Sequence, residues 1–266
     1  MPELPEVETV CRGLAEHITG QVIAKVAVRR RDLRIPLPEG FEKTITGKKV
    51  LKITRRAKYV LIHLEGEKVL IVHLGMSGNL IVYEKMPETL RKHDHVLITF
   101  SSGQVMAFHD PRRFGLMALA EEKVLASHVL FAALGPEPFD SVLDGAGFFG
   151  LLQGSKAPVK SVIMDQGRVV GVGNIYACEA LFRSHIHPAR LAHSVTKREA
   201  ALLLASIRQV LEEAIKSGGS TLRDYVRSSG DAGYFQHHFH VYGRKGEPCD
   251  RCKTPVALLR QSGRST

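Results

Sequence analysis

The chain opens MPELPEVETVCRGLAEHI (residues 1–18), and this stretch sets the reading of the N-terminal half. Pro5 suits a first helical turn, where its missing N–H is not needed, and Glu6 and Glu8 favour the positive end of a helix. Val7, Val10, Leu14 and Ile18 recur at helical spacing and Gly20 stops the run, so the spacing predicts a helix over 4–18. Beyond it the pattern changes. Short β-rich runs at 22–28, 50–53, 59–64, 69–74, 96–100 and 104–108 alternate with hairpin-like turns at Glu65-Gly66-Glu67 and Ser101-Ser102-Gly103. Antiparallel hairpins without intervening helices predict a β-sandwich or barrel.

Gly135-Pro136-Glu137-Pro138 reads as a linker, and a helical pattern follows it. Helices are expected at 160–166 and 174–184, separated by Gly171-Val172-Gly173, and at 197–216. The last of these starts with a capping box, Thr196-x-x-Glu199, and stops at Gly218-Gly219. The final thirty residues return to a strand-like pattern around Cys249-x2-Cys252. The expected class is α+β: a β-sandwich with an N-terminal helix (1–134), a helical domain (135–235) and a small terminal hairpin (236–266).

Composition narrows the function. With 44% hydrophobic residues in 266, a sizeable core is possible and global disorder is excluded. The formal charge of +10 points to a polyanionic partner, nucleic acid being the commonest, although an evenly spread solubility charge would look the same. The N-terminus lacks the cationic start and apolar segment of a signal peptide, and apolar runs such as Val69-Leu70-Ile71-Val72 are too short to span a bilayer. The expectation is a cytoplasmic protein with no membrane partner. Four scattered cysteines (Cys11, Cys178, Cys249, Cys252) do not make a disulfide framework.

If Met1 is removed, Pro2 presents a secondary amine. A free α-amino group has a pKa near roughly 8, against about 10.4 for lysine, so much more of it is neutral and nucleophilic at neutral pH. Glu3 beside it is suited to proton donation. Taken alone, a Met-Pro start and a glutamate near a helix start are commonplace. Read whole, MPELPEVETV resembles the start of the formamidopyrimidine-DNA glycosylase family. The likeness continues through RRAKYVLIHL (55–64), HLGMSGNL (73–80), KHDHV (92–96), DPRRFG (110–115), MDQGRVVGVGNIYACEALFRSHIHP (164–188), GGSTLRDY (218–225) and VYGRKGEPCDRC (241–252). The blocks span nearly the whole chain in family order.

The resemblance implies a DNA glycosylase with an associated AP lyase, acting in base-excision repair on oxidised purines in damaged double-stranded DNA as a monomer at the bacterial nucleoid. Pro2 would attack the sugar and form a covalent iminium, and Glu3 would serve as general acid. Lys58 matches the lysine that assists proton transfer; without the motif it reads as one more surface lysine. Arg264 matches the arginine that binds phosphate at the lesion and is assigned to the second elimination. Met76, Arg112 and Phe114 match the trio that fills the stack vacated by a flipped base, with ordinary core packing as the alternative for Met76 and Phe114. Asn174, at a helix start after a glycine-rich turn, matches the phosphate contact of a helix–two-turns–helix element. His93, Lys156 and Lys160 match or adjoin DNA contacts, and 218–225 matches the loop that closes over an everted base.

The terminal motif departs from the family. Cys249 and Cys252 are half of a four-cysteine zinc set, Lys253 replaces a glycine, and the sequence stops at Thr266, at the turn after which the family places its second Cys-x2-Cys. Two outcomes are expected: a shortened chain, or a hairpin that holds without zinc. His237, His238 and His240 lie where the family has no ligands, so little or no tightly bound zinc is expected. Two other readings remain: a glycosylase of the same superfamily that prefers oxidised pyrimidines, and a lesion-binding protein that does not cut.

Overall fold

The computed structural model describes residues 2–220 and 239–266. Two compact units emerge: residues 1–132 with the segment starting at Ser217, and residues 133–216 with the C-terminal segment through Thr266.

The first unit begins with helix α1 (Leu4–Ile18), over the range its apolar spacing predicts. Eight strands follow: β1 (Ile23–Val28), then after a short helix α2 (Phe41–Ile45), β2 (Val50–Arg56), β3 (Tyr59–Leu64), β4 (Lys68–His73), β5 (Asn79–Tyr83), β6 (Asp94–Phe100), β7 (Val105–His109) and β8 (Leu116–Glu121). They form two four-stranded antiparallel sheets, ordered β1-β6-β7-β5 and β2-β3-β4-β8. One hydrophobic core joins Leu14 and Ile18 of α1 and Phe41 of α2 to Ile62 and Val72 of one sheet and Phe100 and Phe108 of the other. A sheet has two faces to cover, and α1 covers part of one by packing on β2 and β3.

Two strands escape the sequence pattern. β8 is LMALAE, mostly helix-forming residues, and becomes a strand because it pairs with β4 from Lys68↔Glu121 to His73↔Leu116. β5, NLIVY, follows directly on a glycine-rich turn and pairs with β7. Sheet pairing, a long-range effect, overrides local preference at β8.

The second unit holds α3 (Gly145–Gln153), α4 (Val159–Ile163), α5 (Asn174–Arg183) and α6 (Lys197–Lys216). α3, GAGFFGLLQ, carries three glycines that hide its helical pattern; Asp144 caps it by accepting the Gly147 N–H at 2.7 Å. α6 packs on α3 and α5. Glu179 of α5 is fully buried and accepts the backbone N–H groups of His240, Val241 and Tyr242 at 2.9, 3.0 and 2.9 Å. The strand-like reading of the last thirty residues is corrected. Among the described residues of that segment the named strands are β9 (Arg260–Gln261) and β10 (Arg264–Ser265), and the rest is turns and irregular chain, with one isolated antiparallel bridge between Pro248 and Pro255. No described helix is long and apolar enough to cross a membrane.

The capping box at α6 forms as read. Glu199 accepts from Thr196 N–H and Oγ–H, both at 2.8 Å, and Thr196 Oγ accepts the Glu199 N–H at 3.3 Å. The Arg190 guanidinium, followed by Thr196, lowers the Glu199 carboxyl from 4.5 to about 2. A carboxyl with a depressed folded-state pKa stabilises the fold above its unfolded value and loses that contribution as pH falls toward its folded value. Glu199→Gln is therefore expected to melt below the native chain near neutral pH, with the gap narrowing between pH 4.5 and about 2. Thermal unfolding followed by circular dichroism checks this; a gap that stays constant through that range would contradict it.

Candidate active site

In the first unit the N-terminal end of α1 is built from acids. Glu3 is the N-cap residue, and Glu3 and Glu6 form a reciprocal capping box in which Glu6 Oε2 accepts the Glu3 N–H at 2.8 Å. The other Glu6 oxygen accepts Ser220 N–H at 2.9 Å and Ser220 Oγ–H at 3.0 Å. Pro2, Glu3 and Glu6 are all buried. The close approach needs Gly219, which lies at φ +79° and whose added Cβ would stand 3.2 Å from Glu6.

Lys58 sits in the turn between β2 and β3, beside Ala57 at φ 52°. It is buried, which removes the surface-lysine alternative. Arg55 joins this turn to α1: its Nε donates to Glu8 Oε2 at 3.1 Å and its Nη1 to the Ala57 carbonyl at 2.9 Å. Arg55 thus links α1, at whose start Pro2 and Glu3 lie, to the turn that carries Lys58. Sequence reasoning passed over His73, at the end of β4. Its ring packs on Tyr59 with centroids 4.8 Å apart, and its Nδ1 accepts the Gly75 N–H at 3.0 Å. Burial first, then the Arg34 and Lys58 cations, lower its pKa to about 4.

The β4–β5 and β7–β8 connections come together. Gly75 lies at φ +64°, and a Cβ there would stand 2.3 Å from the Phe114 carbonyl carbon, so only glycine permits this backbone contact. Met76 and Phe114 are 37% and 43% exposed, large apolar side chains left on the surface rather than packed in the core. The Arg112 guanidinium lies 4.9 Å from the Phe114 ring centroid. His93 is adjacent, its carbonyl accepting the Asp110 N–H at 3.0 Å. Partial desolvation, then His109, Lys92 and His95, keep its imidazole below its ordinary pKa.

In the second unit, Asn174 opens α5 and donates through Nδ2 to the Ser265 carbonyl at 2.9 Å. The buried Lys160 donates to the same carbonyl at 3.2 Å and to Thr266 Oγ1 at 2.5 Å. Arg264 is exposed on β10, and with Lys160, Gln261 and Ser262 it lines a cavity of about 240 Å³. Lys156 is exposed in the segment before α4. Of the loop read at 218–225, residues 221–225 lie outside the described residues, as do His237 and His238.

Cys249 is buried and Cys252 exposed, and both are free thiols. His240 is engaged elsewhere, its Nδ1 at 3.0 Å from Asp250 and its ring stacked on Phe182. Among the described residues no three His, Cys, Asp or Glu side chains are grouped to hold a metal ion. A structural zinc requires four ligands, so these residues do not fit a complete site.

Comparison with known proteins adds the following. Residues 1–117 match the family model of the formamidopyrimidine-DNA glycosylase N-terminal domain, and 134–226 that of the formamidopyrimidine-DNA glycosylase H2TH domain. Formamidopyrimidine-DNA glycosylases of Rhodospirillum centenum and Cereibacter sphaeroides are 50% and 47% identical, each alignment covering 100% of this chain and 97% of the relative. The MutM (Fpg) protein of Thermus thermophilus superposes with a TM-score of 0.89 at 38% identity, over 100% of this chain and 96% of that one. The Lactococcus lactis Fpg (MutM), solved with DNA containing N7-benzyl-Fapy-dG, superposes with a TM-score of 0.92 at 34% identity, over 100% and 97%.

The His73 environment yields a direct test. An NMR titration of the imidazole rings is expected to find His73 neutral down to about pH 4. Titration of His73 at an ordinary histidine value, roughly 6.5, would show that its packing against Tyr59 and the cations is wrong.

Proposed function

Because the chain belongs to the formamidopyrimidine-DNA glycosylase family and is a DNA glycosylase of base-excision repair, we propose that it removes oxidised purines, 8-oxoguanine and formamidopyrimidines, from duplex DNA and then cuts the strand. The observation that supports the chemistry is the burial of Pro2, Glu3 and Lys58, with Arg55 joining α1 to the turn that carries Lys58.

With Met1 removed, the Pro2 nitrogen attacks the sugar anomeric carbon. The new N–C bond forms as the glycosidic bond breaks, and the damaged base leaves with the bonding pair. Glu3 protonates the sugar ring oxygen, and ring opening leaves an iminium on Pro2. Loss of a proton from the neighbouring sugar carbon expels the 3′ phosphate, and a second elimination expels the 5′ phosphate. Lys58 carries protons in these steps. Arg264 holds a phosphate and assists the second elimination, and Asn174, Lys156 and His93 hold the backbone. Met76, Arg112 and Phe114 fill the gap left by the flipped nucleotide, with Arg112 offering its planar donor fork to the orphaned cytosine. The +10 charge supplies the non-specific attraction to phosphate. A second lesion class has specific support: the 34% identical Lactococcus lactis Fpg has also been solved with DNA containing an oxidised pyrimidine.

Borohydride is expected to trap the chain on DNA carrying an abasic site, and Pro2→Gly to abolish most of that trapping. A variant that keeps Met1, or Pro2→Gly itself, trapping as well as the native chain would end the assignment. Glu3→Gln is expected to bind lesion DNA while base release falls on the order of a hundredfold or more.

Zinc has no step in this scheme. With no three His, Cys, Asp or Glu side chains grouped to hold a metal among the described residues, the 266-residue chain is expected to hold little tightly bound zinc. Elemental analysis returning one zinc per chain would overturn that.

A further inference from the structure

We propose that Asp110 and Ser77 form a buried latch that presents the stack-filling residues as one rigid wedge, so that both are positioning residues for lesion recognition; this rests on the stack-filling reading of Met76, Arg112 and Phe114. Asp110 is fully buried on the connection after β7. Its carboxylate Oδ1 accepts the Ser77 hydroxyl at 2.8 Å, and Oδ2 accepts the Gly115 N–H at 2.8 Å. Its N–H donates to the His93 carbonyl at 3.0 Å, and its own carbonyl accepts His95 Nε2 at 2.8 Å and the Arg113 N–H at 3.3 Å. Ser77 completes the unit: its Oγ accepts the Arg112 N–H at 3.3 Å.

The partners of the two side chains are wedge residues or stand beside one. Ser77 follows Met76, Gly115 follows Phe114, and Arg112 is held by the same hydroxyl. His93, read as a backbone contact, is bound through its carbonyl. The Asp110 carboxylate therefore ties the β4–β5 connection to its own β7–β8 connection, and the Asp110 N–H ties in the turn at His93. Its cost is the burial of a charge, and neutral donors, a hydroxyl and a backbone N–H, meet both of its oxygens. Gly115 is packed so closely that an added Cβ would stand 2.7 Å from the His73 carbonyl and 3.0 Å from Asp110 Oδ2.

The physical advantage is preorganisation. Independent loops would lose conformational freedom at every insertion. Loops joined through a buried acid are ordered in advance, so Met76, Arg112 and Phe114 enter the duplex together. Loosening the latch should impair recognition of a lesion in its pair, while leaving the Pro2 amine as it was.

The test measures base excision from lesion duplexes with cytosine or adenine opposite, 2-aminopurine fluorescence beside the lesion as a report of unstacking, and thermal midpoints. Ser77→Ala is expected to lower kcat/KM opposite cytosine roughly tenfold, to shrink the cytosine-over-adenine preference and to slow unstacking, with borohydride trapping on abasic DNA retained. Ser77→Thr, which keeps the hydroxyl, should restore the preference. Asp110→Asn, nearly equal in volume, should act in the same direction as Ser77→Ala; should it fail to fold, the Ser77 pair decides alone. An unchanged preference in Ser77→Ala, while Met76→Ala and Arg112→Ala lose it, overturns the latch alone. No effect in any of these variants overturns the stack-filling reading and the latch with it. Equal losses of preference, trapping and melting temperature would make the role merely structural, and also overturn it.

Discussion

Chain termini ordinarily fray, and this protein depends on preventing that. The constraint is the burial of α1: Val7, Leu14 and Ile18 are fully enclosed in the sandwich core, and Val10 nearly so. With its apolar face fixed on β2 and β3, the helix cannot slide or rotate, and its first turn is held where Glu3 and Glu6 cap it. The chemistry proposed for Pro2 requires its position to be set to within a fraction of an ångström. The sandwich supplies that rigidity, and Arg55 extends it to the turn bearing Lys58.

The same solution recurs. Glu6, Asp110 and Glu179 are buried carboxylates that accept hydrogen bonds from backbone N–H groups, from other segments for Glu6 and Glu179 and from its own connection for Asp110. Glu6 holds Ser220, Asp110 holds Gly115, and Glu179 holds the segment from His240 to Tyr242. A carboxylate offers several acceptor sites in a small volume, and charge-assisted hydrogen bonds are stronger than neutral ones. Loops whose backbone is satisfied this way are ordered without a large apolar core of their own. The arrangement is sensitive: removing an acid leaves several buried donors unmet, at about 1–3 kcal/mol each.

Much of this was legible in the residues. α1 was readable because its apolar positions recur at helical spacing, and the box at Thr196 and Glu199 formed as its spacing indicated. The glycines beside Met76 and Phe114 signalled exposed loops, and both side chains are exposed. α3 was hidden by its glycines and β8 by its helix-forming residues, since each depends on partners that local pattern does not reveal.

By itself the sequence determined the class of the molecule, because hydrophobic period and capping residues are local features, and its family, because the motif blocks run in family order along nearly the whole chain. Only the tertiary structure decided that Lys58 is buried rather than one more surface lysine, and that His73 is held neutral by burial and nearby cations. The same is true of Ser77 and Asp110, 33 residues apart, meeting at 2.8 Å. The reason is physical: burial and pairing across sheets are set by the whole packed core, and no spacing along the chain encodes which acid will find which donor.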